Sequence, residues 1–600
     1  MLRSAYSVTG PAYAIRNTQY GDNPMTTHSP THFVRALPLA DLQEAAAKTV
    51  QLDGHTLALY YVNGRVYAVD NRCPHMGFPL SRGSVKDGIL TCHWHHARFD
   101  LETGGTFDQW ADDVRAFPVE IRDGDIYVNL AASRDAQAHQ QERLEVGLER
   151  NISLVIGKAV LVLLEGGAAV DPFRTGLAFG TRYRQDGWGS GLTMHTCFMN
   201  MLPHLEQEDR PRALYHGLTA VANDSAGWPP RFPMRPLPGD NTDIPTLKRW
   251  FRRFIAVRDS EGAERCLVSA IRAGANGPQM ADILFSAVTD FRYIDVGHPA
   301  DFTNKAFEAL DHAGWDYAEP VLTSLVAGYT QASRMEESNS WRNPIDLVAI
   351  LEGAFATLTE MDLDETAEST DWPDEDNLIP ILHGDDPQAI ADALLATLRD
   401  GASMHQLAAI VAKAAALRIA RFHTSNEFGD WDTALHTFTF ANAIQLGLRR
   451  APSVELLRGV FDAAMSIYLD RFLNIPPARL PQPQAEPVHT LADFPVLLDK
   501  QQQVNEAAQL VADHLHHTSD GPTLLAMLGK LLLREDRDFH TVQCVEAAFR
   551  QYELLGDTAA GRQALVAGAR YLAAHAPTVR AQGQTYQIAA RLHRGEKIFE

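Results

Sequence analysis

Cysteine is scarce in this chain, with five in 600 residues. So few thiols exclude a scaffold stapled by disulfides and imply a reducing compartment, in which Cys197, Cys266 and Cys544 are expected as buried free thiols. Long apolar runs are missing too. The best stretch, Ile152 to Leu164, is too short to cross a bilayer and carries Lys158 inside it. The first 24 residues hold no apolar segment of signal-peptide type. Residues 1–31 therefore read as a disordered leader, with Met25 as an alternative start. The expected location is cytoplasmic, without a membrane partner. Positive charge is in deficit: 53 Lys and Arg against 75 Asp and Glu give a net charge of −22. A phosphate backbone needs a basic surface, so nucleic acid is excluded as a partner. The acidity suits docking to a basic protein, and equally plain solubility. Nor is there an H-E-x-x-H for a zinc hydrolase, a G-x-G-x-x-G after a strand for a dinucleotide, or a Walker loop.

What the chain does have is Cys73-Pro74-His75, then sixteen residues, then Cys92-His93-Trp94-His95. The two pairs differ in spacing, C-x-H and C-x-x-H, which departs from the C-x-x-C…H-x-x-x-H array of a zinc finger. Glycines stand close by at Gly77, Gly83, Gly88, Gly104 and Gly105. The flanks Cys73-Pro-His-Met-Gly-Phe-Pro-Leu and Cys92-His-Trp-His-His-Ala-Arg-Phe-Asp-Leu-Glu-Thr-Gly resemble Rieske ferredoxins. That resemblance implies one [2Fe–2S] cluster per chain, held by the thiolates of Cys73 and Cys92 on one iron and the imidazoles of His75 and His95 on the other. His93 and His96 fall outside the motif and are expected as exposed loop residues.

The resemblance also bears on potential. High-potential Rieske proteins carry an extra cysteine in each cluster loop, joined as a disulfide, and a Ser and a Tyr whose hydroxyls donate to sulfur. Here the matching positions read Phe78, Trp94, Ala97 and Phe99. With those donors missing, the reduced cluster is less stabilised, and a midpoint at the low end of the Rieske range is expected. Ring-hydroxylating Rieske oxygenases add a mononuclear iron in a D-x-x-H-x-x-x-x-H pattern, but no two histidines of this chain stand five apart.

The expected architecture is multidomain: a small all-β Rieske domain at residues 32–131, then a large all-α domain of helical pairs. Asn63-Gly64 and Asp123-Gly124, each between β-rich runs, predict hairpins. Residues 132–147 read as a polar linker, and residues 148–600 as helical. Apolar stripes at helical spacing run through Leu284, Ala287, Val288 and Phe291, through Leu407, Ile410, Val411 and Ala414, and through Leu524, Met527, Leu528, Leu531 and Leu532. Loops are expected at 228–245, 360–376 (nine acidic residues) and 476–487. A loose repeat opens on Gly277, Gly401 and Gly521 and places a histidine about twenty residues on, at His298, His423 and His540.

Polar clusters in the helical region point beyond a scaffold. The densest runs from Arg418 through His423, Glu427, Asp430, Asp432 and His436 to Thr439, enough for a metal or a proton relay. Others are His298 with Asn304 and Glu308; His195 with His216; and Glu336-Glu337 with Trp341, Arg342 and Asp346. His298 with Glu308, and His436-Thr-Phe-Thr439, are faintly similar to stretches of questin oxidase-like proteins, which are helical oxygenases. Histidines on separate helices of a bundle can converge on one site. The expected catalytic residues are His298, His423 and His436, with His195 or His216 as further candidates; a second metal stays open. Two functions follow. In one, the Rieske domain feeds single electrons to a small-molecule or metal site in the helical domain, and is itself supplied by a reductase or ferredoxin. In the other, the chain is an electron carrier or redox-sensing module whose helices dock a partner.

Overall fold

A computed structural model describes residues 32–131, 136–239, 243–361, 363, 375–596 and 598. The expected leader at 1–31 and most of the acidic excursion at 360–376 lie outside the described residues. By internal contacts the chain divides into a β-rich unit up to Arg134 and a helical unit from Asp135 onward, with two short loop segments, His75–Gly77 and Asp108–Asp112, counted with the second.

Among its described residues the β-rich unit has ten strands: β1 (Phe33–Pro38), β2 (Ala47–Leu52), β3 (His55–Val62), β4 (Arg65–Asp70), β5 (Ser84–Lys86), β6 (Ile89–Thr91), β7 (Arg98–Asp100), β8 (Ala116–Phe117), β9 (Val119–Arg122) and β10 (Asp125–Asn129). They form three antiparallel sheets, in the orders β1-β10-β9, β2-β3-β4-β8 and β5-β6-β7. Four hairpins close on two residues that both have positive φ: Asp53-Gly54, Asn63-Gly64, Asp87-Gly88 and Asp123-Gly124. Such pairs make type I′ turns, whose twist matches that of the strands they join. The β-rich run from Ala116 to Arg122 is split at Pro118, which lacks an N–H for the ladder. Its first half pairs with β4 and its second half with β10. One short helix, Leu39–Ala45, accompanies a core of Leu42, Leu57, Leu59, Ile126 and Val128.

The described part of the second unit is helical, its first helix starting at Ala136 and its last ending at His593. Its first helix, Ala136–Glu149, covers most of the stretch expected as a linker, and the reason is visible in Leu144 and Leu148, which are buried in the helical core. The three apolar stripes face inward as expected, Met527 being only partly buried. Caps set the helix starts: Asn276 with Gln279 and Ser403 with Gln406 form capping boxes, and Asp520 and Asp538 accept from the backbone N–H groups of Thr523 and Thr541. Residues 228–239 and 476–487 are without helix or strand, and a helix starts at Ile244. Among the described residues no helix is long and apolar enough to cross a membrane.

Candidate functional site

The two Cys/His loops of the β-rich unit are built alike. The N–H of Cys73 donates to the carbonyl of Phe78 and that of Cys92 to the carbonyl of Ala97, both at 2.8 Å and both across five residues. In each loop the fourth residue after the cysteine is left-handed: Gly77 at φ +83° and His96 at φ +63°. Both cysteines are buried, and His95 is exposed. The thiol of Cys92 is pushed down to about 6, first by its hydrogen bond with Cys73 and then, against burial, by the backbone N–H groups of Trp94 and His95. His75 packs edge-on against Trp110, with ring centroids 4.6 Å apart, and His95 lies against Trp94 at 4.4 Å. Two adjacent thiols, one of them favoured as thiolate, and an imidazole in each loop could supply the donor set of a [2Fe–2S] cluster with mixed ligands. Gly104, after the second loop, permits a close approach that no side chain could: a Cβ there would stand 1.9 Å from the carbonyl oxygen of Val114.

A second constellation lies within the helical unit. One ring nitrogen of each of His298, His436 and His540 lies within 4.8 Å of the other two. His298 is the first residue of the His298–Ala313 helix, His436 lies within the Phe428–Arg450 helix, and His540 is the second residue of the Phe539–Leu555 helix. The Nε2 atoms of His436 and His540 are 3.0 Å apart. The His298 Nδ1–H donates to the Asp295 carbonyl at 3.1 Å, which leaves its buried Nε2 as a bare lone pair without a hydrogen-bond partner. Burial holds all three imidazoles below their usual pKa, His436 at about 3, with the two neighbouring rings adding to the effect. All three are therefore neutral at pH 7.

The segment that delivers His298 is strained. Tyr293, Asp295, Val296 and Gly297 have φ of +38°, +44°, +49° and +98°. A left-handed β-branched residue such as Val296 is rare and costly. At Gly297 a Cβ would meet Phe440 at 2.8 Å. Beside the trio, Asp432 has one carboxylate oxygen 4.0 Å from His540 Nδ1, while its other oxygen accepts the Tyr571 hydroxyl at 2.5 Å and lies 3.7 Å from His575. Asp432 also lines a cavity of about 1170 Å³, together with Asn426, Phe428, Trp431, Asp538 and His575.

A buried ionic group lies further along the helices that begin near His298 and His540. Lys305 Nζ is 2.9 Å from Glu308 and 2.5 Å from Glu546. Asn200 donates to both carboxylates, at 2.7 and 2.8 Å. Asp301 accepts from Gln543, and burial pushes it up to about 7.

Taken together, the antiparallel sheets and the paired Cys/His loops define an iron–sulfur protein of the mixed-ligand type. The comparisons agree: the Rieske [2Fe–2S] domain family matches residues 32–118. The ferredoxin component of the p-cumate 2,3-dioxygenase system of Pseudomonas putida is 37% identical over 15% of this chain and 80% of that protein. The chain belongs to the Rieske family. The ferredoxin component of the naphthalene 1,2-dioxygenase system of Pseudomonas putida is 31% identical over 16% of this chain and 96% of that protein. Human Apoptosis-inducing factor 3 is 30% identical over 35% of this chain and 33% of that protein, so the chain spans about a third of that relative. Among solved structures, the ferredoxin of carbazole 1,9a-dioxygenase from Nocardioides aromaticivorans IC177 is 27% identical, covering 16% of this chain and 96% of that one, with a TM-score of 0.16. When bound, the cluster supplies one-electron transfer.

Of the expected helical residues, His298 and His436 meet and His423 does not join them. His423 sits in the loop before its helix and accepts the Ser425 N–H at its Nδ1, at 3.1 Å. His195 is fully buried between Gly176 and Gly217, where a Cβ at either glycine would come within 2.6 Å of its ring, and its Nε2 bonds the Phe173 carbonyl. His216 is buried beside Tyr215 and Phe198. Glu308 serves the lysine cluster, and Arg342 pairs with Asp346, which caps a helix. The third member of the trio, His540, figured in the sequence only as a mark of the loose repeat. The signal was there, since His298 and His540 hold matching places in it.

Proposed function

We propose that the chain is a redox enzyme in which the Rieske cluster passes single electrons to a site in the helical unit centred on His298, His436 and His540. A reductase or ferredoxin supplies the electrons, and a small molecule is the substrate. One observation carries this reading: three neutral imidazoles from three helices meet beside an acid that lines a large cavity. A docking scaffold has no need of such an arrangement, and polar groups are costly to bury without partners. Covalent fusion favours the same reading, because a tether raises the effective concentration of donor at acceptor. In this reading Asp432 orients His540, the Asp295 carbonyl fixes the tautomer of His298, and the cavity beside Asp432 admits the substrate.

The alternative is an electron carrier, favoured by the likeness to ferredoxin components of dioxygenase systems. Single-turnover reoxidation separates the two. The cluster is reduced without oxygen, the full-length protein is mixed with aerated buffer, and the visible absorbance of the cluster is followed. A redox site inside the chain makes His436→Gln and His540→Gln slow reoxidation about tenfold or more, a loss of roughly 1.4 kcal/mol in barrier terms. Equal rates in wild type and both variants would overturn the enzyme reading in favour of the carrier.

A further inference from the structure

The three-histidine constellation has the make-up of a metal site. We propose that His298, His436 and His540 bind one divalent first-row transition-metal ion, with the remaining coordination positions left to water or substrate. The proposal names what the site holds, and its link to electron transfer rests on the function proposed above.

Distance is the first argument. Nitrogens bound to such an ion at about 2.1 Å stand roughly 3.0–3.5 Å apart, depending on geometry. The His436 and His540 Nε2 atoms are 3.0 Å apart, and all three donor nitrogens fall within 4.8 Å of one another. The second argument is the hydrogen bonding around the rings. Metal-binding histidines as a rule donate their other ring N–H to a carbonyl or carboxylate, which fixes the tautomer and turns the lone pair inward. His298 does this with the Asp295 carbonyl, and its Nε2 is buried and unpartnered. His540 has Asp432 on its Nδ1 side at 4.0 Å. Third, the backbone before His298 spends four left-handed residues to reach its position, and strain of that kind persists where the surroundings impose it.

The competing account is a hydrogen bond between the His436 and His540 rings. It explains one pair of nitrogens and leaves the third pointing at them unpartnered. The ligand set then selects the ion. Three imidazoles without carboxylate or thiolate suit iron, copper, nickel or zinc and disfavour magnesium and calcium, which take oxygen. Three protein ligands also match catalytic sites that keep a position open, in contrast to closed four-ligand structural sites. Iron or copper is the expected resident, because a donor cluster in the same chain is of use to an ion that changes valence.

Full-length protein purified without oxygen is analysed for metals, then stripped with a mild chelator and titrated with Co²⁺, whose visible bands report nitrogen ligation. The expected result is about one transition-metal ion per chain beyond the two irons of the cluster. His436→Gln and His540→Gln should lose that ion and keep the two irons and the far-UV circular dichroism of the wild type. Asp432→Asn should keep the ion about tenfold more weakly. Two irons with no further metal, together with no Co²⁺ bands in the wild-type protein, would overturn the proposal whether or not the variants fold. A third metal that is bound, yet leaves reoxidation of the cluster unchanged when lost, supports the site and overturns the electron-delivery reading.

Discussion

Lys305 is the residue on which the buried packing of the helical unit can be tested most sharply. Its ammonium lies between Glu308 and Glu546, and the three side chains are exposed by only 2%, 6% and 2%. Asn200 bridges the two carboxylates and Asn304 donates to Glu308 at 2.9 Å, so the polar group is closed on itself. Burial would raise the carboxyl of Glu308, but Lys305 and then Arg550 outweigh it and hold the group at about 2. Lys305→Met removes the cation and leaves two carboxylates in a dry interior. Breaking a buried pair from one side costs about 3–5 kcal/mol, while replacing the whole group by neutral partners is close to neutral. The urea midpoint of the helical signal should therefore fall for Lys305→Met at pH 7 and largely return in Lys305→Met/Glu308→Gln/Glu546→Gln.

The pH dependence follows from the sign of the shifts. In wild type the depressed Glu308 contributes stability that is complete above its unfolded value of 4.5 and is lost as pH falls toward about 2. In Lys305→Met the carboxyl of Glu308 keeps only Arg550, at 4.0 Å, against the burial that raises it. Holding that carboxylate ionised in the interior then costs stability as pH rises. The deficit of the variant should accordingly shrink between pH 7 and about pH 5. A loss below about 1 kcal/mol at pH 7, or a deficit equal at both values, would refute the argument.

Asp301, facing Gln543, Lys305, Glu308, Glu546 and Cys197, is raised by burial from 3.8 to about 7, so its ionisation destabilises the fold as pH rises through that window. Asp301→Asn should gain on wild type across that range by up to roughly 4 kcal/mol, and a difference in urea stability that stays constant with pH would count against it. The cluster should titrate near the low end of the Rieske range of about −150 to +300 mV; a midpoint above about +150 mV would mean that hydrogen bonds to sulfur have been missed. His96 is left-handed at the place where the twin loop uses Gly77, so His96→Gly should leave the β-rich unit as stable as before or about 0.5–1 kcal/mol more so, read by thermal unfolding.

What the sequence shows depends on how local each feature is. The cluster loops were legible because both donors of each pair lie within four residues, and the turn that presents them is encoded beside them. The Asn63-Gly64 and Asp123-Gly124 hairpins were legible for the same reason. Asp53-Gly54 and Asp87-Gly88 make the same type I′ turn but were passed over, the second because its strands are only three residues long. Residues 136–147 looked like part of a linker because they are mostly polar. They are also rich in Ala, Gln and Glu, which favour helix, and two leucines suffice to seat them.

The helical site was half legible. Its three members are separated by more than a hundred residues each, and nothing near His540 in sequence marks it as more than a helix start. The loose repeat put His298, His423 and His540 in one class, and that class is real as topology, since each stands at the start of a helix or in the loop before one. It fails as chemistry at His423, which falls before the first turn of its helix and turns to Ser425. The place in the trio is filled by His436, two turns into the same helix and one turn beyond Asp432. Residues four apart share a helix face, so one helix presents a histidine to the other two and the carboxylate behind His540. Convergence of this kind is decided by how helices cross, which no local spacing records. Beside the matching repeat places of His298 and His540, the trace it leaves in the chain is the Asp432-to-His436 interval, and that acquires meaning only once His298 and His540 are known to lie opposite.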